Sequence, residues 1–323
     1  MSDFLIRPRR IPRTGDDSPA ASLFGYVWRM SGNHQVWICL LAVAVAGLTA
    51  VPLELQRRIV DEVMKDRELD LLWLLAGGYL AVLLVQGTAK YALHLYQSWL
   101  SESAIRYNRE HLTRLYEARS DGNGDGDQHS GEAVSIIGAE VDHLGGFVGE
   151  GLSQPVVNGG MLVAMGGYML IVEPLVAAVS LVFIVPQVVL MPLLQRRINR
   201  LMERRVTLLR GFGDQLAELP EAEHDFRHSK LPARLDRIYD NRLRTDLWKF
   251  GQKAVMNLLS AVAPLSVLLV GGLMVIQGET TIGVVVAFIS GFERLSASLH
   301  ELIAYYRIAA QANVQHRMIA RWM

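Results

Sequence analysis

The 323-residue sequence is poor in the residues on which most enzyme sites depend. Its single cysteine, Cys39, lies within an apolar run, so no intrachain disulfide can form and no cysteine pair can hold a metal. The sequence contains no H-E-x-x-H zinc motif and no G-x-S-x-G nucleophile turn. It has no Gly-Lys pair, and therefore no G-x-x-x-x-G-K-[ST] phosphate loop. These absences predict that the chain is not an enzyme on its own and binds no cofactor.

Charged residues are also scarce and unevenly placed. They make up 20% of the chain against 51% hydrophobic residues, and the formal net charge is zero. A balanced charge provides no basic field for nucleic acid, which is therefore not expected as a partner. The apolar residues are gathered into runs of roughly 20, the length that a helix needs to cross a bilayer core of about 30 Å. A lipid bilayer is the expected surrounding.

The apolar runs predict the fold class, an all-α integral membrane protein with six long transmembrane helices. The arginine-rich residues 1–20 lack a cleavage-site pattern and predict a mobile cytoplasmic tail rather than a signal peptide. Leu23–Ser31 predicts a short amphipathic helix at the membrane interface, within a six-helix domain at 21–323. The predicted spans are about 36–58, 71–95, 151–172, 174–195, 252–276 and 281–302.

The distribution of basic residues sets the predicted orientation. The segment Arg196–Lys253 holds 14 lysines and arginines, whereas the turns Glu173-Pro174 and Gln277–Thr281 hold none. Both termini are therefore expected on the cytoplasmic side of a cell membrane. The mixed-charge loop expected at Glu54–Asp70 carries four basic residues on the outer side and opposes this orientation, but the other loops outweigh it.

Three pairs of short segments carry a resemblance to a known family. They are Ala50-Val51-Pro52 with Ile59-Val60-Asp61, Ser130-Gly131-Glu132 with Asp142, and Gly278-Glu279-Thr280-Thr281-Ile282-Gly283 with Val286-Ala287-Phe288. The last pair is the most specific. Together with six spans that overrun the membrane on one side, these segments make the chain resemble the transmembrane domain of a type I ABC exporter from about Leu23 onward.

The resemblance implies a half-transporter that works as a domain-swapped dimer of two copies or two related chains. The cytoplasmic loops at about 113–134 and 211–232 would dock on a nucleotide-binding ATPase. In the family that domain usually follows the sixth helix, whereas this chain ends at Met323, so the ATPase, with its ATP and Mg²⁺, is expected on a separate polypeptide. The candidate coupling residues of the second loop are Gly213, Asp214, Gln215, Leu216, Ala217 and Glu218.

The expected function is transport of an unidentified substrate, driven by ATP hydrolysis on the partner. The alternative is a degenerate, non-transporting relative that acts as a membrane scaffold or regulator. The family's first cytoplasmic loop tends to carry adjacent aromatic residues that fill a groove in the ATPase. Here that position reads Gly122-Asn123-Gly124-Asp125-Gly126, which favours the alternative.

A calcium site is a weaker possibility in the same loop. Asp121, Asn123, Asp125 and Glu132 match the oxygen-ligand positions of an EF-hand loop. No second hand accompanies them, so a plain loop without metal is the favoured interpretation.

Prolines and glycines mark the spans themselves. Pro186 and Pro264 fall near mid-membrane, where a proline removes a backbone hydrogen bond and creates either a hinge or a static kink. Four glycine pairs predict close helix packing rather than ligand binding. They are Gly77-Gly78, Gly159-Gly160, Gly166-Gly167 and Gly271-Gly272.

The sixth span carries ionisable residues well inside its apolar length. Charge at that depth needs a partner or water, because an isolated charge is costly against lipid. Helical spacing predicts a polar stripe of Ser290, Arg294, Ala297, Glu301 and Tyr305, flanked by Glu293, with Lys253, Lys90 and His94 on neighbouring spans. The stripe predicts either a substrate path or an internal ion-pair network that fixes helix register.

Overall fold

A computed structural model describes residues 7–11, 20, 22–66, 69–120, 136–217 and 231–323. Every regular element in these ranges is helical. A π-helical turn at Ile136–Glu140 leads into the fifth helix. The helices are α1 (Leu23–Ser31), α2 (His34–Gly47), α3 (Val51–Asp66), α4 (Leu69–Ser120), α5 (Val141–Glu150), α6 (Ser153–Val172), α7 (Pro174–Ala217), α8 (Leu231–Gln277) and α9 (Ile282–Trp322).

Six helical segments are long and apolar enough to cross a membrane. The predicted all-helical fold is confirmed for the described residues, and six helices have the length and apolar character that a multi-pass membrane protein requires. The segments are His34–Glu62, Leu69–Glu117, Val141–Val172, Pro174–Gly213, Leu231–Gln277 and Ile282–Trp322. Four of them exceed 40 residues or reach that length, which places polar helical extensions beyond the roughly 20 residues that a bilayer accommodates.

The first span corrects one detail of the sequence-based expectation. The segment Glu54–Asp70, expected as a loop, is helical in α3 as far as Asp66. Ion pairs from Glu54 to Arg57 at 2.8 Å and to Arg58 at 2.7 Å connect positions one helical turn apart, and such pairs support a helix. The mixed charge of this segment therefore stabilises a helix and does not indicate a loop.

The helices fall into two units, one of residues up to 174 together with 277–323, and one of residues 175–276. In the first unit, α4 packs on α5, α6 packs on α2 and α9, and α9 also contacts α3. One core cluster includes Val27, Leu112 and Phe147, and a second includes Ile38, Leu100 and Met161.

Two glycines allow α4 and α5 to approach closely. A Cβ atom on Gly149 would lie 2.1 Å from the backbone oxygen of Gln97, and one on Gly145 would lie 2.3 Å from a side-chain carbon of Ile105. Since side chains cannot occupy such space, these positions require glycine. Among the glycine pairs expected to mark packing, Gly160 approaches Ala46 closely, whereas Gly77, Gly78, Gly166 and Gly167 face open space within this unit.

The predicted amphipathic helix forms over the expected residues, Leu23–Ser31, with the Ser22 hydroxyl accepting a hydrogen bond from the Gly25 amide at 3.1 Å. Part of the predicted mobile tail packs against the fold, because residues 7–11 find buried partners. The Arg9 guanidinium donates to the Met30 carbonyl at 2.5 Å, its amide donates to the Ser103 hydroxyl at 3.1 Å, and Ile11 is buried.

Two segments that carry the family resemblance meet at the start of α9. The Asp61 carboxylate accepts hydrogen bonds from the Thr281 hydroxyl and the Gly283 amide, both at 2.8 Å. A Cβ atom on Gly283 would lie 2.3 Å from the Arg57 carbonyl, so only glycine permits this approach. Gly278, with a φ of 78°, ends the preceding helix in the left-handed conformation that favours glycine. The contact fixes the end of α3 to the first turn of α9.

The second unit consists of most of α7 and α8. The Asn241 amide donates a 2.9 Å hydrogen bond to the Leu201 carbonyl and holds the two helices together at one level. Pro186 and Pro192 lie inside α7 and Pro264 lies inside α8, and both helices continue through their prolines.

Candidate functional site

A cavity of about 550 Å³ lies in the first unit, bounded by α2, α4, α6 and α9. Arg294 on α9 is 13 residues from the Thr281 N-cap, or about 20 Å along a helix, so the cavity reaches well into the predicted membrane depth. The lining residues are Val45, Thr49, Gln86, Lys90, Leu93, His94, Gln97, Gln154, Val157, Asn158, Met161, Met165, Arg294, Ala297, Ser298 and Glu301.

Five residues singled out by the sequence line this one cavity. They are Lys90 and His94 on α4, with Arg294, Ala297 and Glu301 on α9. The spacing of α9 brings its three residues to one face, and α4 supplies its two from one turn. The His94 ring lies 3.0 Å from the Gln97 side-chain oxygen, which links it to a second lining residue.

The other members of the predicted stripe lie elsewhere. Ser290 and Glu293 are not among the lining residues, and Glu293 is exposed. Tyr305 serves the packing of the first unit, because its hydroxyl donates to the Gly151 carbonyl at 2.5 Å and its ring stacks on Phe147 at 6.1 Å. The part of the predicted stripe that lines the cavity is therefore limited to Arg294, Ala297 and Glu301.

The charged lining groups are not neutralised within their own unit. Among its described residues, Lys90, Arg294 and Glu301 form no salt bridge, whereas Arg57, Arg109 and Arg114 each pair with a carboxylate. An ion-pair network that merely fixed helix register would place these side chains in contact. Their separation around one cavity is better suited to a polar guest or to water.

Uncharged amides complete the polar part of the lining, and the sequence analysis missed them. Gln97, which is buried, donates to the Ser153 hydroxyl at 2.7 Å, and Asn158 donates to the side-chain oxygen of Gln154 at 3.1 Å. Gln86 is also buried. Amides inside apolar runs were the available signal, since polar residues at membrane depth are costly unless they serve packing or a cavity.

Apolar side chains share the cavity wall with the polar groups. They include Leu93, Val157, Met161 and Met165, and the Ser298 hydroxyl lies 3.4 Å from the sulfur of Met161. Methionine is flexible and polarizable, so such a wall adapts to guests of different shape. The cavity thus offers cationic, anionic and amide groups together with adaptable apolar surface.

The remaining candidates are distributed over the second unit and beyond the described residues. Lys253 is an exposed residue of α8 in the second unit, and its pairing with Glu301 stays a prediction. Residues 213–217 form the last turn of α7. Glu218 and the calcium candidates Asp121, Asn123, Asp125 and Glu132 lie outside the described residues.

The two proposed hinges are built differently. Pro186 is followed by Gln187, a fully buried residue whose amide donates to the Phe183 carbonyl at 3.2 Å, close to the backbone bond that the proline removes. Two residues after Pro264, the Ser266 hydroxyl donates a hydrogen bond to the Val262 carbonyl at 2.9 Å. Whether either proline acts as a hinge stays a prediction.

No protein-family model matches the chain, and no curated protein matches it significantly in sequence. What the described residues show is an all-helical protein with six helices long and apolar enough to span a membrane, and a cavity in the first unit lined by charged and polar groups.

Proposed function

We propose that this chain is the membrane-spanning subunit of an ABC-type transporter, which moves a polar or amphipathic substrate using ATP hydrolysed by a separate subunit. The observation that carries the proposal is the cavity, which reaches membrane depth at Arg294 and has Lys90, Arg294 and Glu301 on its wall without an ion-pair partner among the described residues of their unit. A protein that only anchors or scaffolds has no need of such costly groups there.

The long helical extensions support the same proposal. α4, α7 and α8 contain 52, 44 and 47 residues, about twice what a bilayer requires, so each projects a rigid arm of several turns beyond the membrane. Rigid arms can transmit movement from an ATPase to the spans. In this proposal the last turn of α7 at 213–217 docks on the partner.

Topology is the first requirement of the proposal. Reporter fusions after Glu173 and after Gln277 are expected to report the outer side, and a fusion after Ala222 the cytoplasm. A cytoplasmic report at Gln277 would contradict the six-span arrangement itself, because α8 and α9 would then not form a membrane hairpin.

ATP hydrolysis by a reconstituted complex tests the coupling. The purified chain alone is expected to hydrolyse no ATP, and hydrolysis is expected when a separate ATPase subunit is co-expressed and co-purified. Leu216→Ala in the docking turn should weaken the stimulation, and Leu209→Ala, an exposed position two turns earlier on α7, is the matched control. Hydrolysis by the lone chain, with contaminating ATPases excluded, would refute the proposal.

Transport by the Arg294→Ala variant separates this function from the scaffold alternative. We expect normal expression and thermal stability, with transport and substrate-stimulated ATP hydrolysis lost, because the residue lines the cavity and has no ion-pair partner among the described residues of its unit. A complex that binds its ATPase but shows no substrate-dependent turnover, even with Arg294 intact, would favour the scaffold.

A further inference from the structure

The second unit carries a groove of about 350 Å³ that is lined by four arginines. Arg197, Arg200 and Arg204 come from one face of α7, and Arg244 comes from α8, with Leu201 and Trp248 completing the lining. The Asn241 hydrogen bond to Leu201 holds the two helices together at this level. The groove is separate from the cavity described above and has no part in the proposed transport path.

These four arginines lie close together, and no carboxylate in the described part of the second unit neutralises them. Like charges facing one groove repel each other, so their arrangement is stable only with an anion or much water between them. The planar guanidinium group suits phosphate in particular, because it can donate two parallel hydrogen bonds to it.

The position of the groove along α7 and α8 favours the headgroup of a membrane lipid over a soluble phosphate as its ligand. The apolar run of α7 ends at Gln195, so Arg197 and Arg200 lie within about 8 Å of the hydrocarbon boundary. Trp248 lies six residues, about 9 Å, before the apolar run that begins at Ala254. Lipid headgroups occupy roughly the first 5–8 Å beyond the hydrocarbon, so Arg197 and Arg200 lie at their level and Trp248 lies just beyond it. Arg204 and Arg244 are nine and ten residues from the two apolar runs, about 14–15 Å, and form the end of the groove that is farther from the membrane.

Apolar surface continues from the groove into the membrane. On α7, Leu193 and Leu190 precede Arg197 by one and two turns on the same helix face, and both are exposed. On α8, Val255 follows Trp248 by two turns on its face and is exposed. A soluble phosphate would make no use of this surface, whereas the acyl chains of a lipid would cover it.

Trp248 also orients one of the arginines. The Arg197 guanidinium carbon lies 5.7 Å from the centre of the Trp248 ring, within the range of a cation–π contact. This contact holds Arg197 at the membrane-facing end of the groove. We propose that the membrane-facing end of this groove, formed by Arg197, Arg200 and Trp248, binds the phosphate headgroup of an anionic phospholipid.

The test uses the full chain in detergent and two charge-matched double variants. Arg197→Gln with Arg200→Gln removes the two arginines of the groove that lie at the headgroup level. The control, Arg196→Gln with Arg242→Gln, removes two arginines that do not line the groove. Lipid retention is measured by native mass spectrometry. The rise in thermal midpoint is titrated separately with phosphatidylglycerol, phosphatidylcholine, glycerol phosphate and inorganic phosphate.

We expect phosphatidylglycerol, and not phosphatidylcholine, to be retained by the parent and the control and to raise their midpoints. The groove variant is expected to bind at least about tenfold more weakly, since each lost charge-assisted hydrogen bond alone accounts for about that factor. Equal binding by both double variants would overturn the proposal. So would equal retention of both lipids, which indicates an unspecific lipid annulus, or equal stabilisation by inorganic phosphate at the same concentration, which indicates a soluble ligand. If the groove variant does not fold, Arg200→Gln alone, compared with Arg196→Gln, decides the same question.

Discussion

The spans of α7 and α8 in the second unit are more apolar than the span of α9 in the first unit, but they are much less buried. In the first unit α9 has the lowest mean hydropathy of the six spans, 1.5, yet 61% of its most apolar stretch is buried. In the second unit the spans of α7 and α8 both have a mean hydropathy of 2.3, and only 22% of the most apolar stretch of each is buried. A helix that faces lipid must be apolar on its surface, whereas a helix surrounded by other helices can carry polar residues.

We therefore expect the same kind of substitution to change the stability of the protein to a different extent in the two units. The first unit is held by close helix contacts at glycine and by buried polar contacts, and its cavity depends on both. The second unit, within itself, leaves most of its apolar side chains exposed and is held at a few defined points, such as the contact of Asn241 with Leu201.

The largest expected effect contrasts glycines of the two units. Gly149→Ala should destabilise the protein by about 1–3 kcal/mol or more, because its methyl group would overlap the Gln97 carbonyl of α4. Gly272→Ala in α8 faces open space and should be neutral or stabilise by up to about 1 kcal/mol, since alanine is the better helix former. Thermal unfolding in detergent measures both.

A control within the first unit makes this contrast stricter. Gly146→Ala lies in α5, three residues from Gly149, and also faces open space, so it should behave like Gly272→Ala. If Gly272→Ala were as damaging as Gly149→Ala, the face of α8 would be packed against another molecule in the purified protein, and the contrast between the units would fail.

A smaller effect is expected where α3 meets α9. Asp61→Ala removes the acceptor for both Thr281 and Gly283 and should cost about 1–3 kcal/mol, the usual range for hydrogen bonds to a charged group. The neighbouring change Glu62→Ala removes a carboxylate with no such contacts in the described residues and should cost much less. Equal midpoints for the two variants would mean that this contact does not hold the unit together.

The smallest effect is expected on the exposed part of α4. Arg109 and Asp142 form a 2.6 Å ion pair, but both side chains are nearly half exposed. Exposed pairs of this kind contribute about 0–1 kcal/mol, so Arg109→Ala should lower the midpoint only slightly, and less still at high salt. A large, salt-independent loss would show that this pair, and not the glycine contact nearby, fixes α5 on α4.

The sequence was sufficient to predict the six long apolar helices, but it was not sufficient to predict which residues form the contacts between them. Long apolar runs predicted all six spans, and charge placement predicted that α4, α7 and α8 overrun the bilayer. The helical state of 54–66 was missed because mixed charge was interpreted as a loop, although its i, i+3 and i, i+4 pairs favour a helix. Of the glycine pairs expected to pack closely, Gly160 does so against Ala46, but the closest approaches occur at Gly145, Gly149 and Gly283. Packing depends on the opposite helix, which the local sequence does not specify.

The candidate site was predicted in part for the same reason. Charges inside an apolar run are rare, so Arg294 and Glu301 were recognisable from their positions on the sixth span, and Lys90 from its spacing with His94 near the inner end of the second. The amides Gln97 and Asn158 escaped attention because they carry no charge, and their role depends on four helices meeting. Tyr305 shares the helical face of Arg294, but the adjacent Gly151 carbonyl and Phe147 ring engage it in packing.

The central claim is that the polar wall of the cavity faces water at membrane depth, and cysteine accessibility tests it most directly. In a Cys39→Ala background, three single variants are treated in membranes with a membrane-impermeant thiol reagent supplied to both sides. Ala297→Cys lines the cavity, Ser296→Cys is its buried neighbour, and Leu269→Cys replaces an exposed side chain of α8. The account predicts rapid labelling at 297 and none at 296 or 269, since position 269 is exposed to lipid. Labelling at 269 as fast as at 297, or no labelling at 297, would contradict it.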